Sequence, residues 1–381
     1  MRKIRTVVIG AGFMGRVHVE MIRRLANVEV AAVAAISNEE AWIFGQNLGI
    51  ERTTGDWRSL IEDPTIDAVH VCAPNVLHHR MVKAAMEAGK HVLCEKPFTL
   101  SVAEARELVE IARKTGLANC LNHNLRYYPV VQHARRIIEK GELGEILVVQ
   151  GTYSQDWLLY DTDFNWRVES KDNGPTRAMG DIGSHWMDLI QHLTGLRITS
   201  LCADFATFHP TRKKPRVAVE AFAGKTLRPE DYEEVPIDTE DFGAVLLRLG
   251  NRAHGAFTVS QVSAGCKNRF QVEIFGTKAG IIWNQEEPDR LWIGQRNTPN
   301  QLIVKDPSLL DPRASAFADL PGGHSEGYDD THKQVYRRFY RKIADPSAPV
   351  DYPTFEDGLW GMVLLEKIRE SVAKRTWVEA G

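Results

Sequence analysis

The chain has 381 residues, 43% hydrophobic and 25% charged, with a net charge of −3. This length exceeds one ordinary core and predicts two domains. The charge excludes the basic footprint of a nucleic-acid or acidic-membrane binder, and no apolar run nears the ~20 residues of a membrane helix.

The opening "MRKIRTVVIGAG" runs directly into a glycine motif and reads as a first strand rather than a signal peptide. Cys72, Cys94, Cys120, Cys202 and Cys266 are scattered with no CxxC pair. That pattern predicts buried thiols of a cytoplasmic protein and no disulfide framework.

Residues 1–121 alternate continuous apolar strand patterns with amphipathic helix patterns, from "TVVIG" and "FMGRVHVEMIRRL" to "HVLCEKP" and "VAEARELVEIARKTG". The alternation predicts a parallel sheet covered on both faces, and the glycine motif at its first turn makes 1–122 a Rossmann dinucleotide-binding domain. Within the first strand–helix turn stands Gly10-x-Gly12-x-x-Gly15, enclosing Phe13 and Met14. Gly10 permits the turn, Gly12 lets the backbone approach a pyrophosphate, and Gly15 packs helix on strand. The helix N-terminus offers N–H groups to the anion. The second strand ends "AVAAISN", with neither an acid to demand NAD nor an arginine to demand NADP. Ser37 and Asn38 can serve a ribose hydroxyl, a phosphate or a helix N-cap. The cofactor is expected to be NAD or NADP, with NAD slightly favoured because no cation is visible. The fourth strand pattern leads into Glu95-Lys96-Pro97 at its carboxyl end, where ligands sit in open α/β sheets.

From residue 146 the pattern changes to strands with few helices between them, such as "EILVVQGTYSQ", "DFGAVLLRLG" and "RFQVEIFGTKAGIIW". Gly250-Asn251 and the stretch from Lys278 to Gly280 read as hairpin turns. Helices are expected over 327–344 and 355–374. The fold class is therefore α/β: a Rossmann domain followed, over 123–381, by an α+β domain with a large, mostly antiparallel open sheet. An uncovered sheet face predicts pairing between subunits as a homodimer or homotetramer. Two long polar stretches, 154–179 and 295–326, read as loops that wall or cover a site.

Asp181 and His185 lie four apart in "MGDIGSHWMDLIQHLTG", a spacing that puts both on one helix face near its start. The positive end of the helix dipole favours neutral imidazole, able to accept a proton. Asp181, His185 and His192 do not make a metal-ligand set, and no metal is expected.

The glycine motif, "CAPNVLHHRMVKAAMEAGKHVLCEKP", "NHNLRYYP", "MGDIGSHWMDLIQHLTG" and the closing "DGLWGMVLLEKIRESVAKRTWVEA" resemble the Gfo/Idh/MocA oxidoreductases over most of the chain. The resemblance implies that Lys96 reaches a substrate hydroxyl near the nicotinamide, that the peptide before Pro97 is cis, and that Glu95 anchors Lys96 or faces the cofactor. It implies that Pro74, Asn75 and His78 flank the nicotinamide ribose. Arg126, Trp166 and Arg167 match positions that line the substrate, with Trp157 and Tyr160 nearby. His324, Glu326 and Tyr328, in "PGGHSEGYDD", are candidates for a loop that closes on it. One departure is "NGPTRAMGDIGSH", where many family members are rich in glycine and alanine. Arg177 either faces an anionic sugar or lies outward as a surface or dimer contact. The expected function is oxidation of a secondary hydroxyl on a pyranose, sugar derivative or cyclitol, with Lys96, Asp181 and His185 catalytic. Two alternatives stand: a glycoside-cleaving enzyme that oxidises C3 transiently, and a ligand-sensing regulator without catalysis.

Overall fold

A computed structural model describes residues 3–216, 229–250 and 252–381. The chain divides into two compact units, Met1–Asn124 with Tyr328–Met362, and Leu125–Gly327 with Val363–Gly381. The chain passes between these units three times, after Asn124, Gly327 and Met362.

In the first unit the elements run β1 (Ile4–Ile9), α1 (Phe13–Ile22), β2 (Val28–Ala34), α2 (Asn38–Leu48), β3 (Thr53–Thr54), α3 (Trp57–Glu62), β4 (Ala68–Val71), α4 (His78–Glu87), β5 (His91–Cys94), α5 (Val102–Thr115) and β6 (Asn119–Leu121). Six parallel strands pair in the order β3-β2-β1-β4-β5-β6. Val7, Val8, Val33, Val69, Val71, Val92 and Leu93 are fully buried, as strands covered on both faces require. Helix ends follow their residues. Ser37 and Ser101 accept N-cap hydrogen bonds from Glu40 and Glu104 backbone N–H groups, and Gly49 and Gly116 close α2 and α5 in the left-handed conformation. The order reverses between β1 and β4, the switch point at which such sheets bind ligands.

The second unit begins with α6 (Pro129–Glu139), β7 (Ile146–Ser154) and the short α7 (Ser170–Asn173). A π-helical turn over Met179–Gly183 leads into α8 (Ser184–Thr194). Strands follow: β8 (Ile198–Ala206), β9 (Thr211–Pro215), β10 (Tyr232–Pro236), β11 (Phe242–Leu249), β12 (Ala253–Ser260), β13 (Arg269–Gly276), β14 (Gly280–Asn284), β15 (Arg290–Gly294) and β16 (Gln301–Val304). The chain closes with α9 (Pro312–Ser315), α10 (Tyr328–Ala344), α11 (Phe355–Lys374) and β17 (Val378–Glu379). The two closing helices match expectation. The expected loop over 295–326 instead contains β16 and α9.

Nine strands pair in the order β16-β15-β14-β13-β7-β12-β11-β8-β17, all antiparallel except β7 with β12. β11 and β12 form the expected hairpin; Asn251 of its turn lies outside the described residues. Trp186 of α8 stacks on Phe257, ring centroids 4.4 Å apart, and donates from Nε1 to the Gln271 carbonyl at 3.1 Å. This aromatic pair joins α8 to the sheet. A trough of about 660 Å³ elsewhere on the sheet is lined by Gln150, Thr152, Ala244, Leu246, Thr258 and Glu273. That surface is mixed rather than continuously apolar. Among the described residues no helix is long and apolar enough to cross a membrane.

Candidate active site

The dinucleotide turn is built as its glycines predict. Gly10 has φ +120°, and a Cβ there would meet the Cys72 carbonyl oxygen at 2.5 Å. A Cβ on Gly15 would meet the Gly10 carbonyl oxygen at 1.9 Å. A Cβ on Gly12 would meet nothing within 4 Å. Gly10 and Gly15 therefore serve the fold, while Gly12 leaves clear the space a pyrophosphate needs at the N-terminus of α1. The turn fits a dinucleotide. Phe13, at the start of α1, is exposed, and the Tyr328 hydroxyl lies 3.5 Å from the Met14 sulfur.

At the tip of β2, Ser37 takes the capping role, and Asn38 Oδ1 accepts from the Gly55 N–H at 2.6 Å. Both are built into the fold there. Pro74 precedes a 3₁₀ turn over Asn75–Leu77, and Asn75 is buried. His78 is fully buried between carbonyls, Nδ1 at 2.9 Å from the Pro97 oxygen and Nε2 at 2.9 Å from the Ala73 oxygen. Burial holds its ring below the usual imidazole range, so the neutral ring donates to one of the two. His78 clamps the backbone on either side of the β4 and β5 ends, where a direct ribose contact was expected.

Lys96 follows β5, half-buried, and its peptide to Pro97 is cis as the resemblance implied. Glu95 departs from expectation as a cofactor contact: its side chain turns inward and is buried. Oε1 accepts from His18 Nε2 at 2.8 Å and Asn122 Nδ2 at 2.5 Å. His18 Nδ1 lies 2.7 Å from His70 Nδ1, and His70 Nε2 lies 2.7 Å from the Tyr340 hydroxyl. Asn122 Nδ2 also lies 3.0 Å from His332 Nδ1. Burial pushes the Glu95 carboxyl up, but the hydrogen bond and charge of His18, with His332 and Asn122, outweigh it and bring the carboxyl to about 2. Burial leaves His332 neutral, pushed down to about 3.

A carboxyl held below its unfolded value of 4.5 stabilises the fold above that pH and loses the contribution as pH falls. Glu95→Gln should therefore lower unfolding free energy at pH 7 by on the order of 3 kcal/mol, the scale for breaking a buried pair. Denaturation across pH should show that deficit shrinking from about pH 4.5 towards 2. A deficit independent of pH would show that the anion is not what stabilises.

In the second unit the π turn and α8 carry Asp181 and His185. The expected regular helix face is thus interrupted by a wider turn at Asp181. Gln261, fully buried, donates from Nε2 to Asp181 Oδ2 at 2.9 Å, and Arg167 Nε lies 3.6 Å from Asp181 Oδ1. The Arg167 guanidinium lies 4.5 Å over the Trp166 ring. His185 is buried, its ring centroid 6.4 Å from that of Tyr153. Burial, reinforced by the Asp181 charge, pushes the Tyr153 phenol far up, so it stays neutral and donates to Asn268 Oδ1 at 2.8 Å. Asp181, His185, Trp166 and Arg167 are thus brought into one neighbourhood.

Two expected substrate contacts are engaged elsewhere. Arg126 forms a two-pronged pair with Asp188, with Nε–Oδ2 at 2.8 Å. Arg177 is fully buried and paired with Asp241, neither facing a substrate nor lying outward. A guanidinium with no exposure needs an anion beside it. His324 is exposed, while Glu326 is buried in an ion pair with Lys305 at 2.8 Å. Tyr328 belongs to the first unit and His324 to the second. Sequence reasoning missed Gln261 and His18. His18 had a legible signal, standing on the first helix three residues after Gly15.

Family models cover both halves. Residues 4–123 match the oxidoreductase family with an NAD-binding Rossmann fold, and 131–282 match the Gfo/Idh/MocA C-terminal domain. The chain belongs to the Gfo/Idh/MocA oxidoreductase family. It is 33% identical over 363 residues to 1,5-anhydro-D-fructose reductase of Ensifer adhaerens, covering 93% of this chain and 92% of that one. It is 29% identical over 403 residues to levoglucosan dehydrogenase of Pseudarthrobacter phenanthrenivorans, covering 100% and 98%. A solved levoglucosan dehydrogenase in complex with NADH and L-sorbose superposes with a TM-score of 0.88 at 28% identity, covering 100% of both chains.

Proposed function

We propose that this oxidoreductase is an NAD-dependent dehydrogenase that oxidises a secondary hydroxyl of a pyranose, sugar derivative or cyclitol to the ketone. The observation that carries the reading is the cluster on the π turn and the start of α8, where Asp181 is held by Gln261 and Arg167 and followed by His185. NAD, when bound, supplies the hydride acceptor. His185 takes the hydroxyl proton as the carbon loses hydride, Lys96 stabilises the developing alkoxide, and Asp181 orients the hydroxyl. Trp166 offers an aromatic face to a sugar ring, and Arg167 offers donors to its hydroxyls.

NAD is favoured over NADP because α2 begins with exposed Glu39 and Glu40 just after the β2 tip. Their charges disfavour a 2′-phosphate. The NADH complex of the related levoglucosan dehydrogenase supports the same choice. Five free thiols fit a cytoplasmic protein. The test is nicotinamide reduction with NAD⁺ and NADP⁺ against pyranoses, uronates, sulfonated sugars, glycosides and inositols. NADH formation with one substrate class is expected. Aglycone release from a glycoside without NADH accumulation would replace the reading with glycoside cleavage.

We also propose that the trough-bearing surface of the nine-stranded sheet pairs with a second copy, as a homodimer or homotetramer. Leu246 is 52% exposed and lines the trough. Light scattering should give two or four chain masses, and Leu246→Asp should shift the species to smaller mass. An unchanged assembly in Leu246→Asp would place the interface elsewhere.

A further inference from the structure

β11 is entered through Thr239, Glu240 and Asp241, all buried. Glu240 Oε1 accepts from the backbone N–H of Arg177 at 2.9 Å and of Met179 at 2.8 Å. It thereby ties down the approach to the π turn at Arg177 and the turn's first amide at Met179, the turn that carries Asp181 and leads to His185. Burial raises this carboxyl to about 6. Asp241 lies between two fully buried guanidiniums. Its Oδ1 pairs with Arg177 Nη2 and, at 2.7 Å, with Arg212 Nη2. Its Oδ2 accepts from the Phe208 and His209 N–H groups at 2.6 and 3.0 Å.

Arg212 then extends into the stretch before the active-site helix. Nη2 donates to the Leu158 carbonyl at 3.0 Å, and Nη1 donates to those of Tyr160 at 2.9 Å and Asp163 at 3.0 Å. Thr239 Oγ1 donates to the Val168 carbonyl at 3.0 Å. The segment so held, 157–168, contains Trp157, Tyr160, Trp166 and Arg167. Gln261 completes the connection: its N–H donates to the Asp241 carbonyl at 3.1 Å, and its side chain holds Asp181.

Buried charges are an expensive way to gain stability, since apolar groups of similar volume serve as well or better. Their distinctive contribution here is direction: one planar guanidinium addresses three carbonyls and one carboxylate at once. We propose that Arg212 and Glu240 are positioning residues of the substrate site, joined through Asp241. Arg212 sets the 157–168 segment, and Glu240 sets the Asp181–His185 helix. The proposal rests on the reading of Asp181 and His185 as substrate-facing.

The test uses the full chain, with hydrogen exchange and steady-state kinetics on the best substrate of the panel. Arg212→Met should speed amide exchange within 157–168 by about tenfold or more, leaving 179–190 unchanged, as expected when hydrogen bonds to a charged group are lost. It should raise KM about tenfold with kcat within about threefold. Glu240→Ala should do the reverse: faster exchange over 177–183, and kcat down by roughly 10- to 100-fold through misplacement of His185. Leu247→Ala, a sheet-core change, controls for general destabilisation and should give neither split. If Arg212→Met does not fold, Arg212→Lys keeps the charge but loses the fork and should show the same local exchange. Unchanged exchange in 157–168 in a folded Arg212 variant, or equal effects of both variants on KM and kcat, would overturn the proposal. Absence of turnover with every substrate in wild type would instead overturn the functional reading, and exchange alone would then decide the positioning claim.

Discussion

Removing the imidazole or the amine should nearly silence turnover while leaving the dinucleotide bound. His185→Ala and Lys96→Ala should each lower kcat by about 10²-fold or more, the scale for a positioned acid–base or charge-stabilising group. Both variants should keep NAD affinity, because neither residue belongs to the Gly10–Gly15 turn proposed to hold the phosphates. If the two groups act on one proton-transfer event, the double variant should lose less than the product of the single losses. The kcat/KM profile should rise with pH through one titrating group in wild type, and that limb should be missing in His185→Ala. Near wild-type kcat with the limb intact in His185→Ala would move the base to Lys96 and leave His185 to bind the sugar.

Gly12→Val should abolish dinucleotide binding without unfolding the protein. A Cβ at this position meets nothing within 4 Å, and Gly12 lies at φ −82°, a conformation open to any residue. The substitution therefore adds bulk only where a pyrophosphate would approach. Thermal denaturation should change little, whereas NAD(H) titration should show loss of at least ~100-fold in affinity, some 2.7 kcal/mol. Gly15→Val provides the contrast. Its Cβ would lie 1.9 Å from the Gly10 carbonyl oxygen, so stability and binding should fall together. Wild-type NAD(H) affinity in folded Gly12→Val would remove the dinucleotide assignment from this turn.

The sequence is most legible where a short segment determines its own geometry. The Gly10–Gly15 turn, the buried runs of the parallel sheet and the two closing helices all follow from spacings within one element. Ser37 shows the limit of that reasoning. The same hydroxyl suits a ribose or a cap, and the Glu40 N–H three residues on takes it. Arg177 fails for a different reason. The sequence offers it either an anionic sugar or an outward surface, but the side chain is claimed by Asp241, 64 residues away. Gln261 is 80 residues from the Asp181 it holds. Glu95 is likewise claimed by His18 and Asn122. Pairings of this range depend on strand order, which local periodicity does not encode. The candidate catalytic residues were legible through a family resemblance, but the groups that hold them were not.

The central claim is that hydride leaves a carbinol carbon for bound NAD. The most direct measurement uses the best substrate of the panel, deuterated at the carbon to be oxidised, with mass analysis of cofactor and product. The account predicts one deuterium in NADH for each ketone formed. Ketone or aglycone produced with no label in accumulated NADH would contradict it.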